Sequence, residues 1–107
     1  MEKNRTKLQV GEFEISISFY ADNAVVIIHN SIPGIGNIIM TEKDNDIELQ
    51  QLMGQENEML NLLVMQLAKQ FSTPTITFIL SFHPSKFATF DQIKDFTKGF
   101  IEAAKSH

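Results

Sequence analysis

The chain has no cysteine and no tryptophan, a single tyrosine, three prolines and five glycines, and no apolar run approaching the length of a membrane span. Each scarcity excludes something. Without cysteine there is no disulfide, no thiolate nucleophile and no thiolate metal site. That composition suits a reducing compartment, and the expected location is the cytoplasm, with the nucleus also open. The N-terminus leads into no apolar stretch of signal-peptide type, and spanning a bilayer takes about 18 apolar residues or more, so no membrane association is expected. Basic residues are also few: the formal net charge is −4. A general nucleic-acid binder needs clustered Lys and Arg to hold phosphates, so nucleic acid is excluded as an expected partner.

The residues that carry chemistry are as sparse. His29, His83 and His107 are scattered, with no carboxylate or second histidine at metal-ligand spacing. His29 reads as a structural or surface residue at a strand end. Gly34-Ile35-Gly36 is a fragment of a glycine-rich loop, but it lacks the third glycine and joins two strands instead of opening a helix, so no phosphate cradle follows. No serine stands in a nucleophile elbow. These features predict a protein that binds and does not catalyse, with no cofactor and no metal.

What is present is the material of a core. The 107 residues, 43% apolar and 21% charged, suit a single domain spanning 1–107, a size that buries about two-thirds of its chain surface on folding. Nine phenylalanines fit core packing better than base stacking. Lys7 to Val10 alternates polar and apolar residues, then Gly11 interrupts. Phe13, Ile15, Ile17 and Phe19 alternate with Glu14, Ser16, Ser18 and Tyr20, which predicts a strand with one wet face. Asp22-Asn23 tolerates the positive φ of a tight hairpin turn. Ala24 to Ile28 is apolar on both faces and rich in β-branched residues, so it should be central. Ile32-Pro33-Gly34-Ile35-Gly36 reads as a turn, Asn37 to Met40 as the returning strand, Thr41 to Asn45 as a polar loop, and Asp46 to Leu52 as an edge-like strand. After one helix, Thr75 to Phe82 alternates sharply, placing Phe78 and Leu80 in the core. Thr89-Phe90-Asp91-Gln92 has the capping-box pattern and opens a last helix with the stripe Phe90, Ile93, Thr97, Phe100, Ile101 and Ala104, and Phe96 at its margin. The element order is β-β-β-β-β-α-β-α, an α+β fold with an antiparallel sheet of about six strands and two helices.

The first helix organises this pattern. Asn57 is the expected N-cap and Glu58 suits the positive end of the helix dipole. The apolar stripe Leu60, Leu63, Val64, Leu67, Ala68 and Phe71 has helical period, and Thr73-Pro74 ends the run. Met59, Leu62 and Met65 lie off that stripe. They are the candidate dimer interface, because the last helix is not expected to cover them alone, and methionine suits a surface that adapts to a partner. Charge is uneven: residues 42–58 hold six acids against Lys43 alone. Glu42, Asp44, Asp46 and Glu48 are the candidate contact for a client protein, against the plainer reading of a solvated loop.

Along nearly its whole length, from Lys7 to Ala103, the chain resembles the proteasome assembly chaperone 3 family. The most specific part is Leu52-Met53-Gly54-Gln55-Glu56, similar to the family's Leu-Leu-Gly-Gln-acidic junction between strand and helix. Lys7 to Gly11, the strand Val25-Val26-Ile27-Ile28 and Gly36 after an apolar turn correspond in order and spacing. Two features depart from the family: the loop before the junction is shorter than in animal members, and Gly34 stands where those are basic. The resemblance implies an α+β domain and a non-enzymatic chaperone that binds proteasome alpha-type subunits during assembly of the 20S alpha ring. It also implies a dimer, with itself or with a paralogous assembly chaperone subunit. The main alternative is a small dimeric scaffold of the roadblock or longin type, serving GTPases or membrane traffic. An enzyme or small-ligand protein would need a convergent polar pocket, for which the residues offer no constellation.

Overall fold

Period-two alternation becomes six seven-residue strands: β1 (Asn4–Val10), β2 (Phe13–Phe19), β3 (Asn23–His29), β4 (Asn37–Lys43), β5 (Ile47–Met53) and β6 (Thr75–Ser81). The structure, a computed structural model, describes residues 4–31 and 36–106. The expected turn residues Ile32 to Ile35, Gly34 among them, and His107 lie outside the described residues. Two helices complete the fold, α1 (Glu58–Ala68) and α2 (Phe90–Lys105), with a short 3-10 turn at Pro84–Phe87. None of the described helices is long and apolar enough to cross a membrane.

The strands form one sheet in the order β1-β2-β3-β6-β4-β5. Every neighbouring pair is antiparallel except β3 and β6, which run parallel. The sheet is therefore mixed, which corrects the antiparallel expectation. Alternation identifies a strand but not its neighbour. Because a whole helix, α1, separates β5 from β6, the chain crosses over the sheet and β6 can enter between β3 and β4.

Both helices lie on one face. Ile15, Ile17, Val26, Ile28, Ile39, Ile76, Phe78 and Leu80 point inward and are buried beneath them, with Phe78 fully buried as expected. From α1 come Leu60, Leu63, Val64, Leu67 and Ala68. Asn57 caps this helix, its Oδ1 accepting from the N–H groups of Met59 (2.9 Å) and Leu60 (3.0 Å). The helix stops at Ala68, not Phe71. Gln70 and Phe71 donate to the carbonyls three residues back, the tightened turn that closes many helices. Phe71 stays buried, its ring between those of Phe19 (6.0 Å) and Phe100 (5.9 Å), so apolar spacing outlasts the helix.

On α2 the capping box of Thr89 and Gln92 is formed. The buried stripe is Ile93, Phe96 and Phe100, so Phe96 is central and not marginal, while Phe90 is 64% exposed. Phe96 is needed elsewhere than the period suggests: Phe13, Phe82, Phe87 and Phe96 form an aromatic cluster with ring centroids 5.2–5.4 Å apart. Phe87, on the 3-10 turn, joins both sides. Gly99 lets α2 lie close on β1, since a Cβ there would fall 2.8 Å from Val10 Cγ1. Thr41, expected in a loop, is inside β4, fully buried, with its hydroxyl donating to the Ile76 carbonyl. The Asp22-Asn23 turn closes by a Tyr20 N–H to Asn23 carbonyl bond of 2.8 Å, with no positive φ.

Candidate functional site

A strand sends successive side chains to opposite faces. The same six strands that bury their inner residues under the helices therefore present a second set outward, and no described helix or turn lies over it. Strand register orders that set into rows. One row reads Lys7, Ser16, Ile27, Ile79, Ile38 and Met53, from β1 across to β5. The next reads Arg5, Ser18, Val25, Thr77, Met40 and Gln50. Val25, Ile27, Ile38, Met40 and Ile79 thus make a continuous apolar centre over β3, β6 and β4. Each is only partly buried, by its neighbours in the sheet.

At the β5 edge this centre runs into two exposed large apolar side chains, Leu52 at 50% and Met53 at 48%. A register shift pairs Ile39 with Gln51 and Ile38 with Met53, so Leu52 is the extra residue of a bulge. The bulge explains the Leu52-Met53-Gly54-Gln55-Glu56 junction. Gly54 has φ +90°, and a Cβ there would lie 2.3 Å from the Gly36 carbonyl oxygen and 2.8 Å from Asn37 Nδ2. Asn37 Nδ2 in turn donates to the Gln55 carbonyl at 2.9 Å. The chain thus leaves the sheet for α1 through a passage that only glycine fits.

Charge lies at the rims. Arg5 and Lys7 are exposed on the outward side of β1, while Glu42 and Glu48 are exposed on the outward side of β4 and β5. Glu42 and Glu48 stand directly opposite each other in the ladder, an arrangement that is mildly unfavourable in an isolated sheet. On the adjacent margin, His29 Nε2 meets Glu14 Oε2 at 3.2 Å, and His29 Nδ1 lies 3.3 Å from the Asn30 carbonyl. His29 is thus a rim residue held by a carboxylate. Among the described residues no three His, Asp or Glu side chains gather at metal-ligand distance.

Two further carboxylate contacts tie the β1–β2 turn to the 3-10 turn and to the end of β3. Glu12 pairs with Lys86 Nζ at 3.0 Å and accepts from Asn30 Nδ2 at 3.2 Å. The hydrogen bond from Lys86, followed by that from Asn30, holds the Glu12 carboxyl below its ordinary pKa.

The residues singled out from sequence fall in separate places. Asp44 and Asp46 occupy the tip of the β4–β5 hairpin, bridged by a 3.0 Å backbone bond, while Glu42 and Glu48 stand on the sheet itself. All four are exposed at one corner. Met59, Leu62 and Met65 are each half-buried. Met59 and Leu62 pack onto the core, and Leu62 shares a groove between the helices with Phe90, Ile93 and Ile101. Met65 sits apart, beside the hairpin tip and Lys69. The outward sheet face is the surface that sequence reasoning left out. Its signal was present in Val25, Ile27 and Ile79, apolar positions on the second face of strands in a chain with only two helices to cover them.

This architecture, a six-stranded sheet with both helices on one face, defines a two-layer α+β class. Among solved structures it is similar to a chaperone complex for yeast 20S proteasome assembly, with a TM-score of 0.63 and 7% sequence identity, covering 96% of this chain and 94% of that one. At that identity the likeness is one of fold. No family model and no curated protein sequence matches the chain.

Proposed function

We propose that this chain is a non-catalytic chaperone of 20S proteasome assembly, which binds alpha-type subunits and promotes alpha-ring formation as one half of a dimer with itself or a paralogous chaperone subunit. The observation that carries this reading is the sheet face that no described element covers, an apolar centre with charged rims, on a fold similar over 96% of its length to a chain of a yeast 20S proteasome assembly chaperone complex. An ordered surface with no chemistry-bearing side chains at its centre is suited to masking and pairing, not turnover.

Two surfaces compete for the second subunit. The outward side of α1, with Met59, Leu62 and Met65, is one; the sheet face is the other. The sheet face spans six strands and no described helix or turn covers it, so the pairing is assigned to it. The corner formed by Glu42, Asp44, Asp46 and Glu48 is assigned to the client, because acidic charge is concentrated there and would steer a basic surface into contact. Such a protein works in the cytoplasm or nucleus, where proteasome subunits are assembled.

Capture on the immobilised chain tests the reading. Alpha-type proteasome subunits should be retained, and retention should weaken as salt rises. Retention of small GTPases alone would transfer the chain to the roadblock or longin class, and retention of neither would overturn the proposal.

A further inference from the structure

We infer that one end of the core, left open between the sheet and α2, is a binding site for a small amphiphilic carboxylate. The ligand is a medium-chain monocarboxylic acid whose apolar body enters between the layers and whose carboxylate stays at the mouth beside Lys105. The site lies away from the outward sheet face and does not depend on the chaperone reading.

β2 begins at Phe13 and ends at Phe19, and the core is finished differently at these two ends. Around Phe13 it is closed. Phe13, Phe82, Phe87 and Phe96 are all buried and in ring contact, and the 3-10 turn supplies Phe87 as the plug. Around Phe19 no described turn does the same. Phe19 is only half-buried, and Phe71 stands 6.0 Å from it and 5.9 Å from Phe100. Beside these three rings is a cleft of about 440 Å³. Clefts that hold small molecules run from about 300 to 1,000 Å³. The cleft lies where α2 and β1 do not close on each other. Gly99 brings the helix against Val10 at the end of β1, whereas Thr6, near the start of that strand, and Ala104, a turn further along the helix, both line the opening.

The chemistry of the lining selects the occupant. Its walls are mostly aromatic and aliphatic, so an apolar body is needed to fill them. The polar side chains among the described lining residues are Thr6, Gln70 and Lys105, and Lys105 alone is charged. Threonine hydroxyl, glutamine amide and ammonium all donate hydrogen bonds, the demand of a carboxylate. Two helices end at this mouth, and free carbonyls there would favour a cation instead. Those carbonyls are taken up. Gln70 and Phe71 N–H bond the carbonyls of Leu67 and Ala68, and Ser106 N–H bonds those of Glu102 and Ala103. The charge left to meet a ligand is that of Lys105, which makes no ion pair among the described residues. An anionic head is therefore complementary and a cationic one is not.

NMR titration of the isotope-labelled full chain with decanoate, kept below its micelle concentration, tests the site. Amide shifts should concentrate on residues 6–8, 17–19, 70–71 and 100–105 and follow one saturating curve. In the series hexanoate, octanoate, decanoate, each two-carbon extension should tighten binding about tenfold, as burial of two methylenes requires. Lys105→Gln should weaken decanoate binding about two- to fivefold, the scale of an exposed charge pair. Decanol should bind more weakly than decanoate by a similar factor, and decylamine more weakly still. Ala104→Phe and Gln70→Phe, exposed positions on α2 and just beyond α1, place a ring in the cleft from different sides. Each should abolish the saturating shifts while circular dichroism shows a folded chain. Shifts that do not saturate, or that persist in both filled variants, would overturn the site. Decanol or decylamine binding as tightly as decanoate, or a Lys105→Gln chain binding decanoate unchanged, would overturn the carboxylate and its place beside Lys105.

Discussion

The two faces of this sheet are written in alternate residues of the same strands, yet they ask different things of the sequence. On β6 the inward residues Ile76, Phe78 and Leu80 are buried beneath the helices. The outward residues Thr75, Thr77, Ile79 and Ser81 are each only partly buried. The inner face is aromatic and aliphatic except for Asn37 and Thr41 on β4, and it holds the fold. The outer face is apolar at its centre and out to Leu52 and Met53 on the β5 edge, with hydroxyl side chains beside it and charge at its margins. That is the composition of a patch that must be soluble alone and closed when paired. Burial on one face therefore contributes to stability, and burial on the other contributes to association.

Neighbouring residues on one strand give the sharpest way to break this comparison. Phe78→Ala should cost about 3–5 kcal/mol, because it removes a fully buried ring from a close-packed core. Ile79→Ala, one residue along and facing out, should cost about 1 kcal/mol or less when measured in dilute monomer. Urea unfolding midpoints report both, and equal losses would collapse the distinction between faces.

Next in size is the passage between sheet and helix. Gly54→Ala should destabilise by about 1–3 kcal/mol through its positive φ. The approach of the new methyl to the Gly36 carbonyl places it at the upper end or beyond. Thermal melting tests this, and an unchanged melting temperature would mean the passage tolerates a side chain.

The helix surface predicts a smaller effect. Leu62→Glu should cost about 1–2 kcal/mol, because Leu62 is half-buried against the core and the helix groove. It should leave self-association intact. A folded Leu62→Glu monomer would move the interface to Met59, Leu62 and Met65.

The smallest effect is electrostatic. Glu12 has a depressed pKa through Lys86 and Asn30, so its folded state binds a proton less readily than its unfolded state. Its contribution to stability is therefore present above the unfolded carboxylate pKa and is lost as pH falls through the lower folded value. Because the pair is exposed, the gain is slight. Lys86→Gln should raise the Glu12 midpoint toward the ordinary range in an NMR titration, and an unmoved midpoint would remove Lys86 as the cause.

These expectations show where the sequence was legible. Alternation located the strands, and local chemistry located both helix starts, because Asn57 and the Thr89–Gln92 pair act within a few residues of themselves. Longer-range facts were not legible. Nothing in Thr75 to Phe82 says that it inserts beside β3 in parallel. Phe71 continues a helical period although the helix has ended, since the core accepts a ring from a turn as readily as from a helix. Phe96 displaced Phe90 from the buried stripe because the rings of Phe13 and Phe87, from the start of β2 and the 3-10 turn, pack against it. The client acids were visible as a charge run, but that Glu42 and Glu48 oppose each other on a sheet, with Asp44 and Asp46 on its tip, depends on a hairpin register. The outer face was the largest omission. Its apolar positions were read as marks of a central strand, which they also are.

The central claim is that this face is where the chain binds a partner, and sedimentation equilibrium of the wild type beside Ile79→Glu tests it most directly. A carboxylate at the middle of the apolar centre would be buried unpaired in any face-to-face dimer, at a cost of several kcal/mol, yet would meet water in the free chain. The account predicts that the wild type runs at the mass of a pair, with itself or with an added paralogous chaperone subunit, and that the folded variant keeps the mass of one chain. A folded variant that self-associates as tightly as the wild type would contradict it.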